Sequence, residues 1–531
     1  MKREGRILVL DDEERWLDIL TNLLRGVGFL VDGAGTVAEA RTLLKDNFYH
    51  VAVFDVSMVS GDGTNTEGMQ FLSQLDEEGQ RGGMEVIMIS AYADKQRLRE
   101  AFKKYKVADF QDKFDFEQTE FLEQVRGILS DSVNLDLDVQ WEVQSQREQV
   151  VLNLKLDDER VKRDTPLQAR TAAELDDLLC RLFCEALSLL VSPLTPGTSG
   201  SGVLHATPFY KDGAARPVVV KFGHFRNIKR EHENFKKHTQ PFIGGRSTSV
   251  INLRLTTHLG GIVYSLLGSA GDKIESFSSY YAAANTAQIS ETLKLLFYET
   301  CGAWYANPGH LQLRNLTEEY RQLLGFTDQD LGLALSQLKG VHGKRELYFD
   351  SLGGRAFTNP LLAASERQFM RPTYVCITHG DLNENNILVD DSGHTWLIDF
   401  ESTGPGHILR DIAELDSAVR FQLLQADEAT FAERLLMEEA LCTATHFSDV
   451  GRLSDAFQTD NEALAKAYAT SVQLRVIASE MMAKNPNDDL GEYYVAQFYY
   501  AMNSLRFLAR RGIQRQHALL SASLLADKLG L

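Results

Sequence analysis

The sequence contains no apolar run long enough to cross a bilayer, which argues against a membrane-spanning helix. Its opening, Met1-Lys2-Arg3-Glu4-Gly5-Arg6, passes straight into a short strand-like run, so a signal peptide is not expected. Cysteine is scarce, with five in 531 residues and none at metal-binding spacing. That points to a reducing compartment, and the cytoplasm is the expected location. Positive charge is in deficit: 55 Lys and Arg stand against 74 Asp and Glu, a net −19 that disfavours general nucleic-acid binding. No Gly-x-x-x-x-Gly-Lys-Ser/Thr stretch occurs, so a P-loop NTPase is not supported.

What is present reads as a soluble globular protein, with 44% hydrophobic and 24% charged residues. The length calls for two or three domains. Residues 5 to 130 alternate buried strands with amphipathic helices, the pattern of a parallel α/β sheet. Ile7–Leu10 runs into Asp11, Asp12 and Glu13; Val51–Phe54 ends at Asp55; Val86–Ile89 ends at Ser90; Ala108–Phe110 leads to Lys113. Functional residues in such sheets collect at the carboxyl ends of the strands. Three carboxylates there can bind one Mg²⁺, Asp55 can accept a phosphoryl group, and Ser90 and Lys113 can contact it.

This set resembles the receiver domain of bacterial two-component response regulators over residues 5 to about 128. The resemblance implies a flavodoxin-like, doubly wound five-stranded parallel sheet and Asp55 as phosphoacceptor. It also implies Mg²⁺ on Asp11, Asp12 and Asp55, and a switch made by Ser90, Phe110 and Lys113. Phe114 stands where the family usually has Pro, and Met58-Val59 where it has Met-Pro. The segment from Ser60 to Gly68 is longer than the family loop.

Between residues 131 and 170 lies a joint. Val133, Leu135, Leu137, Val139, Trp141 and Val143 alternate with polar residues, which reads as a strand, with Val150–Leu156 its hairpin partner. Leu156–Arg170 is charged, contains Pro166 and reads as a solvated link. Thr171-Ala172-Ala173-Glu174 has capping-box spacing and opens a helix with the stripe Leu175, Leu178, Leu179, Leu182, Phe183, Ala186 and Leu187. Cys180 and Cys184 lie one turn apart on its apolar side. The stripe reads as core-facing, with a dimer or domain contact as the alternative.

The remainder is organised by Thr378-His379-Gly380-Asp381-Leu382-Asn383-Glu384-Asn385-Asn386-Ile387-Leu388-Val389 and by Trp396-Leu397-Ile398-Asp399-Phe400-Glu401. The runs Ile387–Val389 and Trp396–Ile398 flank a turn and read as a hairpin, which brings Asp381, Asn386 and Asp399 to one end. One carboxylate to orient a hydroxyl, with an amide oxygen and a second carboxylate for Mg²⁺, suits phosphoryl transfer. Upstream, Gly197, Ser199, Gly200, Ser201 and Gly202 form a Gly-rich turn before the strand Val218–Val220 and Lys221. Glu231 or Glu233 would pair with Lys221, Glu231 being preferred. Val250–Leu255 and Ile262–Leu267 read as further strands of a small lobe, and Gly268–Asp272 as the start of a hinge.

These motifs resemble the aminoglycoside phosphotransferase-like branch of the protein-kinase superfamily over residues 185 to 520, including the later Asp411-Ile412-Ala413. The Gly-rich segment also looks like the ternary-complex-associated type. The resemblance implies a two-lobed α+β fold with an N-lobe over 171–275 and a helical C-lobe over 276–531. It implies ATP and Mg²⁺ as cofactors, catalytic Asp381, Asn386 and Asp399, phosphate-binding Lys221, and His379 and Asp411 in support of the catalytic loop. The expected partners are a cognate histidine kinase or phosphotransfer protein, an unidentified phosphoacceptor and a second copy of the chain. A nucleotide-binding pseudokinase scaffold is the alternative. An aminoglycoside phosphotransferase is disfavoured by the fused receiver, and by Asn383-Glu384 where antibiotic kinases often have His-Pro.

Overall fold

In the computed structural model the described residues are 4–59, 65–91, 95–156, 159–194, 200–213, 216–242, 248–266, 274–306, 308–362, 368–507 and 512–531. The chain divides into two compact units, one of residues 1–232 and 249–266, the other of 233–248 and 267–531. No helix among the described residues is long and apolar enough to cross a membrane.

The first unit begins with β1 (Arg6–Leu10), β2 (Leu30–Ala34), β3 (Val51–Asp55), β4 (Glu85–Ser90) and β5 (Asp109–Asp112). They form a parallel sheet in the order β2-β1-β3-β4-β5. The intervening helices are α1 (Glu14–Gly26), α2 (Val37–Asp46), α3 (Glu67–Glu78), α4 (Lys95–Lys103) and α5 (Gln118–Ser132). Every residue of β3 is buried, as a central strand covered on both faces requires. The expected doubly wound five-stranded sheet therefore forms.

The joint differs from expectation. Only Asp138–Trp141 (β6) is strand, and it pairs in parallel with β9 (Ser188–Pro193) at the edge of a second sheet. Residues 150–156 are not its hairpin partner. Instead α6 (Gln146–Gln149) precedes the short pair β7 (Lys155–Leu156) and β8 (Glu159–Arg160). Alternation in sequence specifies a buried face but not the neighbour that buries it.

Helix α7 (Pro166–Leu182) starts five residues before the expected capping box. The Thr165 side chain accepts the Gln168 N–H, and Pro166 occupies the first turn, where its missing N–H costs nothing. Thr171 lies inside the helix and donates its hydroxyl to the Leu167 carbonyl. The stripe is buried as expected except for Leu187, which is exposed, and Cys184 is only half-buried beside the buried Cys180.

The second sheet is six-stranded, in the order β12-β13-β11-β10-β9-β6. Its other strands are β10 (Gly202–Phe209), β11 (Val218–His224), β12 (Thr248–Leu255) and β13 (Leu259–Leu266), with α8 (Phe225–Asn234) following β11. One apolar core runs from Ile7, Val9 and Val53 of the first sheet through Phe121, Val133, Leu137 and Trp141 to Leu178, Val220 and Val263. The two sheets thus share a core. Their contact also carries buried charge: Asp177 lies 2.5 Å from His50 and 2.7 Å from Arg181, whose guanidinium also donates to the Gly83 and Tyr49 carbonyls. At Gly79 (φ +71°) a Cβ would sit 2.5 Å from the Phe225 ring, so this left-handed helix end is also a close approach to α8.

The second unit is dominated by helices. Its small antiparallel pieces include Ile387–Asp390 with Thr395–Leu397, in register Ile387↔Leu397, and Val375–Thr378 with Gly404–His407. The expected hairpin is therefore present. The proposed hinge residues 268–272 lie outside the described residues.

Candidate functional site

At the carboxyl ends of the first sheet, Lys113 Nζ lies 2.8 Å from both Asp11 Oδ2 and Asp55 Oδ2. Ligand oxygens of Asp11, Asp12 and Asp55 fall within 4.8 Å of one another. Burial and the Asp55 charge push Asp11 up to about 6, despite Lys113. Burial likewise raises Asp55 against the pull of Lys113. Burial alone would lower Lys113, but Asp55 and Asp11 hold it above its ordinary value. Carboxylates crowded beyond what one cation neutralises suit a hard divalent ion with oxygen ligands, and Mg²⁺ fits this set. Ser90 is fully buried at the end of β4, and its carbonyl accepts the Lys113 N–H at 2.8 Å. Phe110 is half-buried and packs against the core that holds Leu8, Phe54 and Met88, while Phe114 is 80% exposed.

In the second sheet, β9 and β10 form a hairpin with Leu204 opposite Pro193, so the Gly-rich segment is its connection. Gly197 and Ser199 lie outside the described residues. Gly200 has φ +83°, Ser201 is buried, and Gly202 opens β10. Lys221 on β11 is opposite Val203. Its Nζ lies 2.6 Å from Glu231 Oε2 on α8, and the Tyr264 hydroxyl donates to the other oxygen of Glu231. All three side chains are buried, whereas Glu233 is exposed. The structure thus brings Lys221 and Glu231 together.

In the second unit, Asp381 lies on the loop between Val375–Thr378 and the hairpin. Asn386 Nδ2 donates to the Asp381 carbonyl at 2.7 Å and to its Oδ2 at 3.0 Å, and Asn383 Nδ2 donates to Oδ1 at 3.0 Å. The Asn386 amide oxygen is the group left for a cation. Asp399 follows the returning strand in a left-handed conformation, φ +71° and ψ +66°, which non-glycine residues seldom adopt and which clusters at functional sites. Burial and the charge of Asp399 raise Asp381 above its ordinary value. One amide oxygen and one carboxylate are a donor set that Mg²⁺ accepts.

The helix Arg410–Ala418 holds much of the loop backbone. Asp411 accepts the N–H groups of His379 at 2.7 Å and Gly380 at 2.9 Å, and the Tyr305 hydroxyl at 2.6 Å. Gly380 has φ +84°, and a Cβ there would meet the Ser402 carbonyl and the Arg410 guanidinium. His379 is fully buried, and its Nε2 donates to the Ile398 carbonyl at 3.0 Å, tying the loop to the returning strand.

One turn later comes Glu414, which the sequence reading missed. Its Oε2 accepts the Leu382 N–H at 2.8 Å and the Tyr500 hydroxyl at 3.3 Å, and its carboxyl hydrogen-bonds Asp381. Burial, Asp381 and Asp411 push it well above the ordinary glutamate value. The available signal was its place three residues after Asp411, on the same helix face.

The response regulator receiver domain profile matches residues 7–126. The receiver domain protein of Methanospirillum hungatei JF-1 is 21% identical, covering 24% of this chain and 93% of its own, with a TM-score of 0.20. A Thermotoga maritima response regulator is 25% identical, covering 24% and 99%, with a TM-score of 0.21. The Thermotoga maritima response regulator TrrA, solved with Mg²⁺ and BeF, is 22% identical over the same shares, with a TM-score of 0.20. No curated protein matches the chain. The profile of Ternary complex associated domain 9 matches residues 186–345 and 335–506, more than half of the sequence. With a response regulator receiver domain at residues 7–126 and this second profile over most of the remainder, the chain belongs to the Ternary complex associated domain 9 family.

Proposed function

We propose that the chain is a two-component signalling protein in which phosphorylation of Asp55 controls an ATP- and Mg²⁺-dependent, kinase-like phosphotransferase. The observation that carries this reading is the loop cluster of the second unit. Asp381 has both oxygens oriented by amides, Asn386 keeps its amide oxygen, and Asp399 holds a rare backbone conformation beside them. In this reading Asp381 orients the acceptor hydroxyl and takes its proton. Asn386 and Asp399 hold Mg²⁺, which neutralises phosphate charge when bound. Lys221, fixed by Glu231, holds phosphate oxygens, and backbone N–H groups of the Gly-rich hairpin cover them. The phosphate donor to Asp55 is a histidine kinase or phosphotransfer protein, and the phosphoacceptor of the output is a protein or small molecule.

Two measurements test this. Mg-ATP at millimolar concentration should raise the melting temperature of the full chain, and Asp399→Ala should remove the Mg²⁺-dependent part. Radiolabelled ATP with cell lysate should yield a labelled acceptor. Binding without any transfer, to lysate, to the chain itself or to water, would replace this reading with that of a nucleotide-binding scaffold. An unchanged melting temperature would remove both.

A further inference from the structure

A cleft of about 1410 Å³ opens within the first unit, between the end of α2 in the receiver domain and the helices α7 and α8. Its cationic lining is Arg6, Arg41 and Lys45 on one wall, and Arg170, Arg226 and His258 on the other; among the described residues two carboxylates, Asp46 and Glu159, oppose them. This excess of positive charge stands in a chain of net charge −19, so it is local.

Some of these cations are already engaged. Arg41 pairs with Glu78 at 2.9 Å, Arg170 lies 3.7 Å from Asp46, His258 bonds Glu174 at 2.9 Å, and Arg226 donates to the Glu78 carbonyl at 3.2 Å. Arg6 and Lys45 have no carboxylate within ion-pair distance among the described residues. The Arg6 guanidinium is instead held 5.0 Å over the Phe48 ring, and Arg226 lies 5.4 Å over Phe225. Both rings line the cleft, together with Leu44, Leu156 and Leu167.

We infer that this cleft is a binding site for a nucleoside polyphosphate, its phosphates on Arg6, Lys45 and Arg226 and its base on the apolar lining beside Phe48 and Phe225. Guanidinium groups match phosphate oxygens in pairs, and stacking on a ring fixes their plane in advance. The volume exceeds the roughly 300–1,000 Å³ of ordinary ligand pockets, so there is room for more than a single phosphate. An occupant would touch the receiver domain and the helix that carries Glu231 together. Asp55, Asp381 and Asp399 are not among the residues that line it, and the inference does not depend on phosphotransfer.

The test uses the full chain in EDTA at matched ionic strength, with inorganic tripolyphosphate and GTP as probes. Each should raise the melting temperature saturably. The double variant Arg6→Gln/Lys45→Gln should shift half-saturation at least about tenfold, and the exposed control Lys211→Gln/Lys229→Gln should not. Arg226→Gln, also exposed, gives the same readout should the double variant fold poorly. GTP should saturate at lower concentration than tripolyphosphate, in the part of the response that the double variant loses. No response, or an equal response in all variants, would overturn the site. GTP no tighter than tripolyphosphate would overturn the nucleoside assignment.

Discussion

Asp177 and Glu414 both lie on helices, both face neighbouring segments through hydrogen bonds, and they titrate in opposite directions. Burial works against the Asp177 charge, yet Arg181 and His50 overcome it and hold the group below the ordinary aspartate value. Glu414 has carboxylates for company, Asp381 and Asp411, so burial and repulsion act together and drive it up. A buried carboxylate with cationic partners fastens structure. A cluster of carboxylates left uncompensated is a strain that a fold retains where a cation or a proton is to be handled.

If the chain is the phosphotransferase proposed above, Asp381→Asn should keep nucleotide binding and lower transfer by about 10²–10⁴-fold, because it would remove the base and leave Asn386 and Asp399 in place. A radiolabel assay beside a nucleotide-dependent melting curve checks this, and retained transfer would show the cluster to be merely structural.

Next in size is Asp177→Asn. It leaves Arg181 without its anion in a buried setting, so a loss of about 3–5 kcal/mol is expected at neutral pH. The folded-state pKa is depressed, so this stabilisation is complete above the ordinary aspartate value of 3.8 and is lost as the pH falls from there toward the depressed value. Urea midpoints of wild type and variant should therefore converge below about pH 4. A gap that does not narrow in acid would assign the effect to packing.

Lys221→Met should be comparable, since the buried Glu231 carboxylate keeps the Tyr264 hydroxyl but loses its cation. A loss of about 3–5 kcal/mol is expected, and Lys221→Met/Glu231→Gln, which removes the stranded charge, should restore most of it.

The smallest effect has the opposite sign. Glu414 has a raised folded-state pKa, so its ionisation opposes folding above the ordinary glutamate value of 4.5. In metal-free buffer Glu414→Gln should raise the melting temperature by a few degrees at pH 7, with the gain vanishing below about pH 4.5. A destabilised Glu414→Gln would mean that the carboxylate is needed as an anion by Leu382 and Tyr500.

Much of this was legible in the sequence, for local reasons. Strand and helix periods exposed the first sheet, and Ile387–Val389 with Trp396–Ile398 declared their hairpin. Lys221 and Glu231 are ten positions apart, on a strand and the helix that follows it, so order along the chain sufficed. What was not legible involved partners far apart in sequence. The alternation around Trp141 could not name β9, 50 residues on, as its neighbour. Pro166 resembles a breaker until Thr165 is seen to cap the helix that it starts. Asp177 looks like surface charge until His50, 127 positions earlier, is folded against it. Glu414 lay in plain view beside Asp411, but nothing in the spacing says that a second carboxyl reaches the loop.

The apolar core that runs unbroken from Ile7 to Val263 has a consequence for how such a protein is inherited. Among the described residues no seam free of this core separates the receiver domain from the second sheet. A break near residue 130 would strip Val133 and Leu137 from one side and uncover Leu178 and Leu179 on the other, and a fragment starting at residue 185 would lack α7 altogether. The receiver domain and the second sheet are bound to change together, and a graft of a foreign receiver would have to bring its own α7.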